Sequence, residues 1–177
     1  LFPTGEAEIE WNTPSKKIEF FSGRLANNGH DPMPTYHRVD MTPPPGYLNL
    51  NYGRAPMHTF ARTINNPHLF EMMPENVVWV SPANAARYGV SNGDYVKLRN
   101  QDGVVSNRIR VRITERIGPD QVYIVHGFGH EDRRQTRAGG RGANSSQLVT
   151  RELICPISGG TGMRGNFVTL IREEASA

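Results

Sequence analysis

The run Val77-Val78-Trp79-Val80-Ser81-Pro82-Ala83-Asn84-Ala85-Ala86-Arg87-Tyr88-Gly89 decides the structural class of this 177-residue chain. Four successive apolar residues without a helical period predict a strand buried on both faces. The residues that follow carry the limits of a short helix, with Ser81 at the N-cap, Pro82 at the first helical position and Gly89 just past the end. Downstream, Asp94 to Arg99 and Val104 onward flank Asn100-Gln101-Asp102-Gly103, where Asp-Gly supplies the positive φ of a hairpin turn. Arg108-Ile109-Arg110-Val111-Arg112-Ile113 alternates strictly, which predicts a half-buried strand. Period-two charge of this kind is usually a solvated face, with an anion surface as the alternative. Gln121-Val122-Tyr123-Ile124-Val125, after the Gly118-Pro119 turn, and Phe167-Val168-Thr169-Leu170-Ile171 read as two more strands. Upstream, Tyr47-Leu48-Asn49-Leu50-Asn51-Tyr52 alternates as well. The sum is a mostly β chain with short helices, best closed as a barrel.

Residues 1–47 have a different texture. Pro3, Pro14, Pro32, Pro34 and the Pro43-Pro44-Pro45-Gly46 block break any sustained period, so this part reads as an arm or linker ahead of a domain spanning 48–177. Lys17-Ile18-Glu19-Phe20-Phe21 is expected to form a short strand there that leans on another part of the protein.

A formal charge of +3, from 20 basic and 17 acidic residues, is a mild excess that favours anionic partners without implying nucleic acid. The single cysteine, Cys155, excludes an internal disulfide or cysteine metal cluster and reads as small buried filler. No apolar run approaches the roughly 20 residues of a membrane-spanning helix. Leu1 is not an initiator Met and begins no signal peptide, so the chain is expected to be a piece of a longer polypeptide.

Chemistry concentrates in two stretches. Tyr52-Gly53-Arg54-Ala55-Pro56-Met57-His58-Thr59-Phe60-Ala61-Arg62-Thr63, continued by Ile64-Asn65-Asn66-Pro67, follows a strand directly. Arg54, His58 and Arg62 can each meet a phosphate or a heteroaromatic ring, Thr59 and Thr63 add hydroxyls, and Gly53 permits close backbone approach. This suits a nucleotide-like ligand, with a solvated Arg-rich turn as the alternative. His126-Gly127-Phe128-Gly129-His130 stands at a strand end. Its glycines argue against the helix on which two His four apart would share a metal, so no metal site is assigned. They instead let the backbone pass close to a ligand while an imidazole hydrogen-bonds it; a plain turn with exposed His is the alternative.

Other motifs carry less. Arg133, Arg134, Arg137 and Arg141 alternate with Gly139, Gly140 and Gly142 as in RNA-binding tails, but the run is short, lacks interleaved aromatics and passes into Ala143 to Leu148, an ordinary polar turn. A mobile loop over a site fits as well. Pro156-Ile157-Ser158-Gly159-Gly160-Thr161-Gly162 offers a glycine-rich anion nest without the Lys and Ser/Thr of a P-loop, and no GxGxxG opens a helix, which excludes ATPase and Rossmann readings. No nucleophile triad or paired carboxylate stands out, so no catalytic residue is assigned and the domain is expected to bind rather than react.

In order and spacing, the Gly53 to Thr63 loop, Val80-Ser81-Pro82-Ala83-Asn84-Ala85 with Tyr88-Gly89-Val90 and Asn92-Gly93-Asp94-Tyr95-Val96, the Gly118-Pro119-Asp120-Gln121-Val122 turn and the Asn144 to Val168 segment resemble one family. It is the C-terminal dinucleotide-binding domain of the molybdopterin oxidoreductases of the dimethyl sulfoxide reductase superfamily. The resemblance implies a six-stranded double-psi β-barrel, preceded by an extended arm, that helps hold molybdopterin guanine dinucleotide, with its molybdenum or tungsten, inside a larger catalytic subunit. By position, Gly53, Arg54, His58, Thr59, Arg62 and Thr63 would contact pterin and phosphates. Asn144 and Gln147 would meet the pterin edge, and Arg164 would be a further basic cofactor contact. His126 and His130 would border the substrate side. Cys155 would not be the metal ligand, which belongs to an earlier domain.

His126 to His130 and Arg62-Thr63-Ile64-Asn65-Asn66-Pro67-His68-Leu69 look most like the thiosulfate, polysulfide and tetrathionate reductase branch. That branch implies an iron-sulfur cluster upstream, an iron-sulfur electron-transfer subunit, a membrane anchor subunit and a periplasmic or membrane-associated complex. It implies no nucleic-acid partner, and an isolated domain that is inactive. Two rival readings are a stand-alone nucleotide- or RNA-binding β-barrel module working through residues 133–141, and a barrel adaptor without a ligand.

Overall fold

The computed structural model describes residues 11–33, 35–36, 42–163 and 165–173. The chain divides into two compact units, Leu1–Asp40 and Met41–Ala177. In the first, α1 (Gly23–Asn27) starts at Ser22, whose Oγ accepts from the Leu25 N–H at 3.3 Å, and buries none of its residues. The strand expected over Lys17 to Phe21 is absent. This stretch finds no ladder partner among the described residues, so its backbone turns and Phe20 is left 74% exposed.

The second unit runs β1 (Leu48–Gly53), α2 (Pro67–Met72), β2 (Val77–Val80), α3 (Pro82–Tyr88), β3 (Tyr95–Asn100), β4 (Ile109–Ile113), β5 (Gln121–Val125) and β6 (Phe167–Arg172). The strands close in the order β1-β5-β2-β4-β3-β6, because β6 pairs antiparallel with both β3 and β1. Two parallel pairs, β1 with β5 and β2 with β4, give the double-psi barrel. Inward residues alternate along each strand, and Leu50, Val78, Val96, Leu98, Ile109 and Ile124 meet in one core with at most 2% exposure. Removing that apolar surface from water is the main stabilising term, at about 25 cal/mol per Å².

A closed barrel has one interior, and this corrects the reading of β2 as buried on both faces. Val78 and Val80 are buried, whereas Val77 and Trp79 are half-exposed and the Trp79 ring packs 5.0 Å from Tyr123 outside. The arginines of β4, and Arg108 just before it, also point outward. Arg110 pairs with Glu75 at 2.9 Å, Arg112 lies over Trp79 and Arg108 over Tyr95, as expected of a solvated face.

Sequence limits hold at α3: the Ser81 Oγ accepts from the Asn84 N–H at 3.2 Å, and Gly89 ends the helix at φ 62°. The same signature, Asn66 followed by Pro67, starts α2, with Asn66 Oδ1 accepting from the His68 and Leu69 N–H groups. The hairpin after β3 turns at Gly103, φ 83°. Three expectations change. Ala143 to Leu148 is no ordinary turn, since it forms a 3-10 helix, Ser145–Leu148, that drives Leu148 wholly into the core. Cys155 is exposed in a small hairpin bridged by Ile154 and Thr161, and a hydrogen bond with Ser158 holds its thiol below the ordinary range. In that hairpin the three glycine N–H groups of the proposed nest are taken by the chain itself, Gly159 and Gly162 by the carbonyls of Cys155 and Leu153 and Gly160 by the Ser158 hydroxyl.

One buried amide fastens loop to barrel. Asn76, fully buried, donates through Nδ2 to the Val125 and Ala143 carbonyls at 2.7 and 2.9 Å, and its Oδ1 accepts from the Ala143 N–H at 2.9 Å. Each buried polar group left unpaired costs about 1–3 kcal/mol. Asn76→Ala is therefore expected to lower unfolding free energy by about 3 kcal/mol in urea titration; a loss under about 1 kcal/mol would show that other groups replace the bonds.

Candidate functional site

The site begins at the ends of two strands. β1 and β5 run parallel with Gly53 beside Val125, and the His126 N–H donates to the Gly53 carbonyl at 2.9 Å. The chains therefore leave the barrel at the same end, one as Arg54 and the other as His126. A second apolar cluster, Ala55, Ile64, Val125, Phe128 and Ala138, packs the two departing loops together.

Two cavities open there and share Phe60 and His126 as a common wall. The first, of about 430 Å³, is lined by Tyr52, Gly53, Arg54 and Met163 among others. The second, of about 470 Å³, is lined by Gly127, Gly129, His130, Glu131, Asn144, Ser146 and Gln147 with others. The wall is a stack: the Arg54 guanidinium lies 4.6 Å above the Phe60 ring, and Phe60 meets the His126 ring edge-on at 5.2 Å. Phe60 takes the left-handed φ of 50°, and its carbonyl crosses Gly127 (φ 95°) where an added Cβ would lie 2.6 Å from the oxygen. Gly129 (φ 78°) likewise passes the backbone nitrogen of Asn144 with no room for a Cβ. Burial, and secondly the Arg54 charge, pull the His126 pKa below its ordinary 6.5, so this imidazole is neutral at pH 7.

The structure sorts the sequence-predicted residues. Gly53 and Arg54 line the first cavity, His130, Asn144 and Gln147 the second, and His126 both. Asn144 spends its Oδ1 on the Ser146 N–H at 3.0 Å, which leaves its NH2 group as a donor. His58 is turned inward instead, 7% exposed, with Nε2 3.0 Å from the Met73 carbonyl and Nδ1 3.3 Å from the Thr63 hydroxyl. A carbonyl only accepts, which assigns the proton to Nε2 and makes Thr63 the donor to Nδ1. The Thr63 hydroxyl also accepts from the Thr59 N–H at 2.9 Å, so His58 and Thr63 brace the loop from within. Thr59 and Arg62 are exposed on that loop and line neither cavity; Arg164 lies outside the described residues.

Residues 131–142 are tied down, against the reading of a mobile loop or tail. Asn65 Oδ1 accepts from the Arg137 and Ala138 N–H groups at 3.0 and 3.1 Å, Arg134 pairs with Asp132 at 2.7 Å, and Arg141 stacks on Phe70. Sequence reasoning missed Phe60, Asn65, Asn76 and Ser146. Only the Asn65-Asn66-Pro67 grouping carried a local signal; the others owe their place to contacts distant in sequence.

A family model described as the molydopterin dinucleotide binding domain matches residues 48–167. The chain belongs to that family. Its similar proteins include the thiosulfate reductase molybdopterin-containing subunit of Salmonella typhimurium, 30% identical over 93% of this chain and 21% of that protein. A dimethyl sulfoxide reductase of Escherichia coli is 25% identical over 88% of this chain and 20% of its own length. The chain thus spans about a fifth of the relatives it matches. Among solved structures, acetylene hydratase from Pelobacter acetylenicus shares the fold, with a TM-score of 0.74 at 18% identity over 90% of this chain and 24% of that one. The donor set fits a molybdopterin dinucleotide: a guanidinium fork for phosphate in one cavity, and in the other amides and a hydroxyl that both donate and accept, as a pterin edge requires.

The depressed His126 pKa has a checkable consequence. Between 6.5 and its lower folded midpoint the unfolded chain binds more protons than the fold, so stability falls as pH drops through that interval. Titration of the His126 ring by NMR is expected to give a midpoint below 6.5, moving up but still low in Arg54→Ala, because burial is the larger cause. A midpoint unaffected by Arg54→Ala would remove the coupling.

Proposed function

We propose that this chain is the cofactor-binding domain of the catalytic subunit of a molybdopterin-dependent oxidoreductase that reduces thiosulfate, polysulfide or tetrathionate. The observation that carries the proposal is the pair of adjoining cavities, one holding the only Lys or Arg side chain among their described lining residues, Arg54, and the other the amides of Asn144 and Gln147. The similarity to a thiosulfate reductase subunit favours the sulfur-compound branch.

In this reading Arg54 grips a phosphate or other anionic part of the dinucleotide through its planar fork. Asn144 and Gln147 orient the heterocycle, while Gly127 and Gly129 let their backbone cross closely against that of Phe60 and Asn144 and so shape the cavity wall. Phe60 and His126 form the partition between the cavities, and a neutral His126 can hydrogen-bond without adding a second positive charge beside Arg54. When bound, the cofactor's molybdenum or tungsten supplies the redox chemistry. Nothing in this domain is assigned a proton-transfer or nucleophilic step, and the isolated chain is inactive. The dinucleotide is of the guanine form. Electrons arrive through an upstream iron-sulfur cluster and an iron-sulfur subunit, and a separate anchor subunit holds the periplasmic complex at the membrane. Among the described residues no helix is long and apolar enough to cross a membrane.

The test uses the full-length subunit carrying this chain. The purified wild type is expected to contain guanine dinucleotide and metal, and to turn over at least one of the three sulfur compounds with reduced viologen. Arg54→Ala and Asn144→Ala are each expected to weaken cofactor retention about tenfold, the effect of losing one bond of about 1.4 kcal/mol. A wild type without pterin dinucleotide, or turnover by the 177-residue chain alone, would overturn the proposal.

A further inference from the structure

We infer that Phe60 is a positioning residue for Arg54: its ring, fixed by a strained turn, carries the guanidinium at the first cavity, where it meets the anionic part of the bound ligand. The inference rests on the cofactor reading given above. It starts from a backbone state unusual for an aromatic residue. The Arg62 N–H donates to the Thr59 carbonyl at 3.1 Å, so Phe60 is the first central residue of a tight turn, and its φ is 50°. Turns with positive φ at that place ordinarily carry Gly, Asn or Asp, because a β-carbon crowds the chain there. Nor does the ring fill the core, since Phe60 is 48% exposed. Its surroundings hold it in this state. On one side the buried His58 bonds the Met73 carbonyl and the Thr63 hydroxyl, and the Thr59 N–H donates to that hydroxyl at 2.9 Å. On the other, the Phe60 carbonyl is pressed against Gly127, where a Cβ would stand 2.6 Å from the oxygen. Strain of this kind persists only where neighbours enforce it, and it gathers at functional sites.

The contacts of the ring show what the strain maintains. The Arg54 Cζ lies 4.6 Å from the Phe60 ring centroid, and the His126 ring packs edge-on against Phe60 at 76°. Arg54, Phe60 and His126 all line the first cavity. Among the described residues no carboxylate or hydrogen bond holds the Arg54 guanidinium. Other arginines are spent on the chain, Arg110 on Glu75, Arg134 on Asp132, and Arg141 through Nε on the Arg137 carbonyl. The N–H groups of a guanidinium lie in the plane of its fork, so one resting on an aromatic face keeps them for another partner. The ring therefore sets where the Arg54 charge stands and leaves its donors to the ligand. A long side chain held in place beforehand also loses less freedom on binding.

The experiment uses the full-length subunit, diluted and gel-filtered, with pterin dinucleotide and metal per polypeptide followed over time. Phe60→Asn accepts the left-handed backbone and lacks the ring, Phe60→Leu keeps apolar bulk without an aromatic face, and Phe60→Tyr keeps the face. The Asn and Leu variants stand in for each other should one fail to fold. Retention is expected to shorten about fivefold in both, and to stay within about twofold of wild type in Phe60→Tyr. Arg54→Ala alone is expected to shorten it about tenfold, and Phe60→Asn to add nothing in that background, because a residue acting through Arg54 has no effect once Arg54 is gone. Additive losses in the double variant would overturn the inference in favour of direct contact between ring and ligand. Retention equal to wild type in Phe60→Leu would overturn it in favour of bulk, and equal losses in Asn, Leu and Tyr in favour of packing alone. If Arg54→Ala loses cofactor while Phe60→Asn keeps it, only this inference falls; a wild type free of pterin dinucleotide removes the reading beneath it as well.

Discussion

The hydrogen bond from the His126 N–H to the Gly53 carbonyl continues the parallel pairing of β1 and β5, and both cavities depend on that pairing. Parallel neighbours leave a sheet in the same direction, so the segments following them emerge side by side. In an antiparallel pair Arg54 and His126 would stand at opposite ends of the barrel. A slip of one residue would also exchange inward and outward side chains along β1, exposing Leu48 and Leu50 in place of Asn49 and Asn51. The apolar core therefore enforces the register, and the register places the site.

Beyond the strands, buried asparagines do what a ladder cannot. Asn76, Asn100 and Asn166 are at most 1% exposed, and each joins segments far apart in sequence. Asn100 accepts from the Asp102 and Val104 N–H groups and donates to the Leu148 carbonyl. Asn166 accepts from the Thr150 N–H and donates to the Gly162 and Met163 carbonyls. A planar amide with two donors and one acceptor oxygen imitates a peptide group, so irregular loops can be buried without unpaired backbone. Such loops are rigid enough to shape a cavity, which a flexible glycine and arginine segment would not be. The tying of Arg137 and Ala138 to Asn65 follows the same logic.

Several of the described arginines are engaged locally. Arg110 is paired with Glu75, Arg134 with Asp132, and Arg108, Arg112 and Arg141 lie over aromatic rings. What distinguishes Arg54 is location. It stands at a strand end, over Phe60 and beside a neutral imidazole, and it supplies the one guanidinium among the described lining residues of the two cavities.

The strands β1, β3, β4, β5 and β6 were legible from alternation and turn residues, and α3 from Ser81, Pro82 and Gly89, because these signals act through neighbouring dihedrals and side-chain period. The same local rule was present at Asn66-Pro67 and marks α2. Arg54 and the glycine run at 126–130 were singled out by residue type, whereas Asn144 entered only through the family resemblance, because its own neighbourhood read as a polar turn. Tertiary structure alone decided that Trp79 faces outward, that Cys155 is exposed, and that Lys17 to Phe21 forms no strand, since each depends on what stands opposite. It alone turned His58 and Thr63 into a brace within the loop. Local sequence determines which way a backbone bends, but whether a side chain is a brace or a ligand contact depends on partners that only the closed barrel brings within hydrogen-bond range.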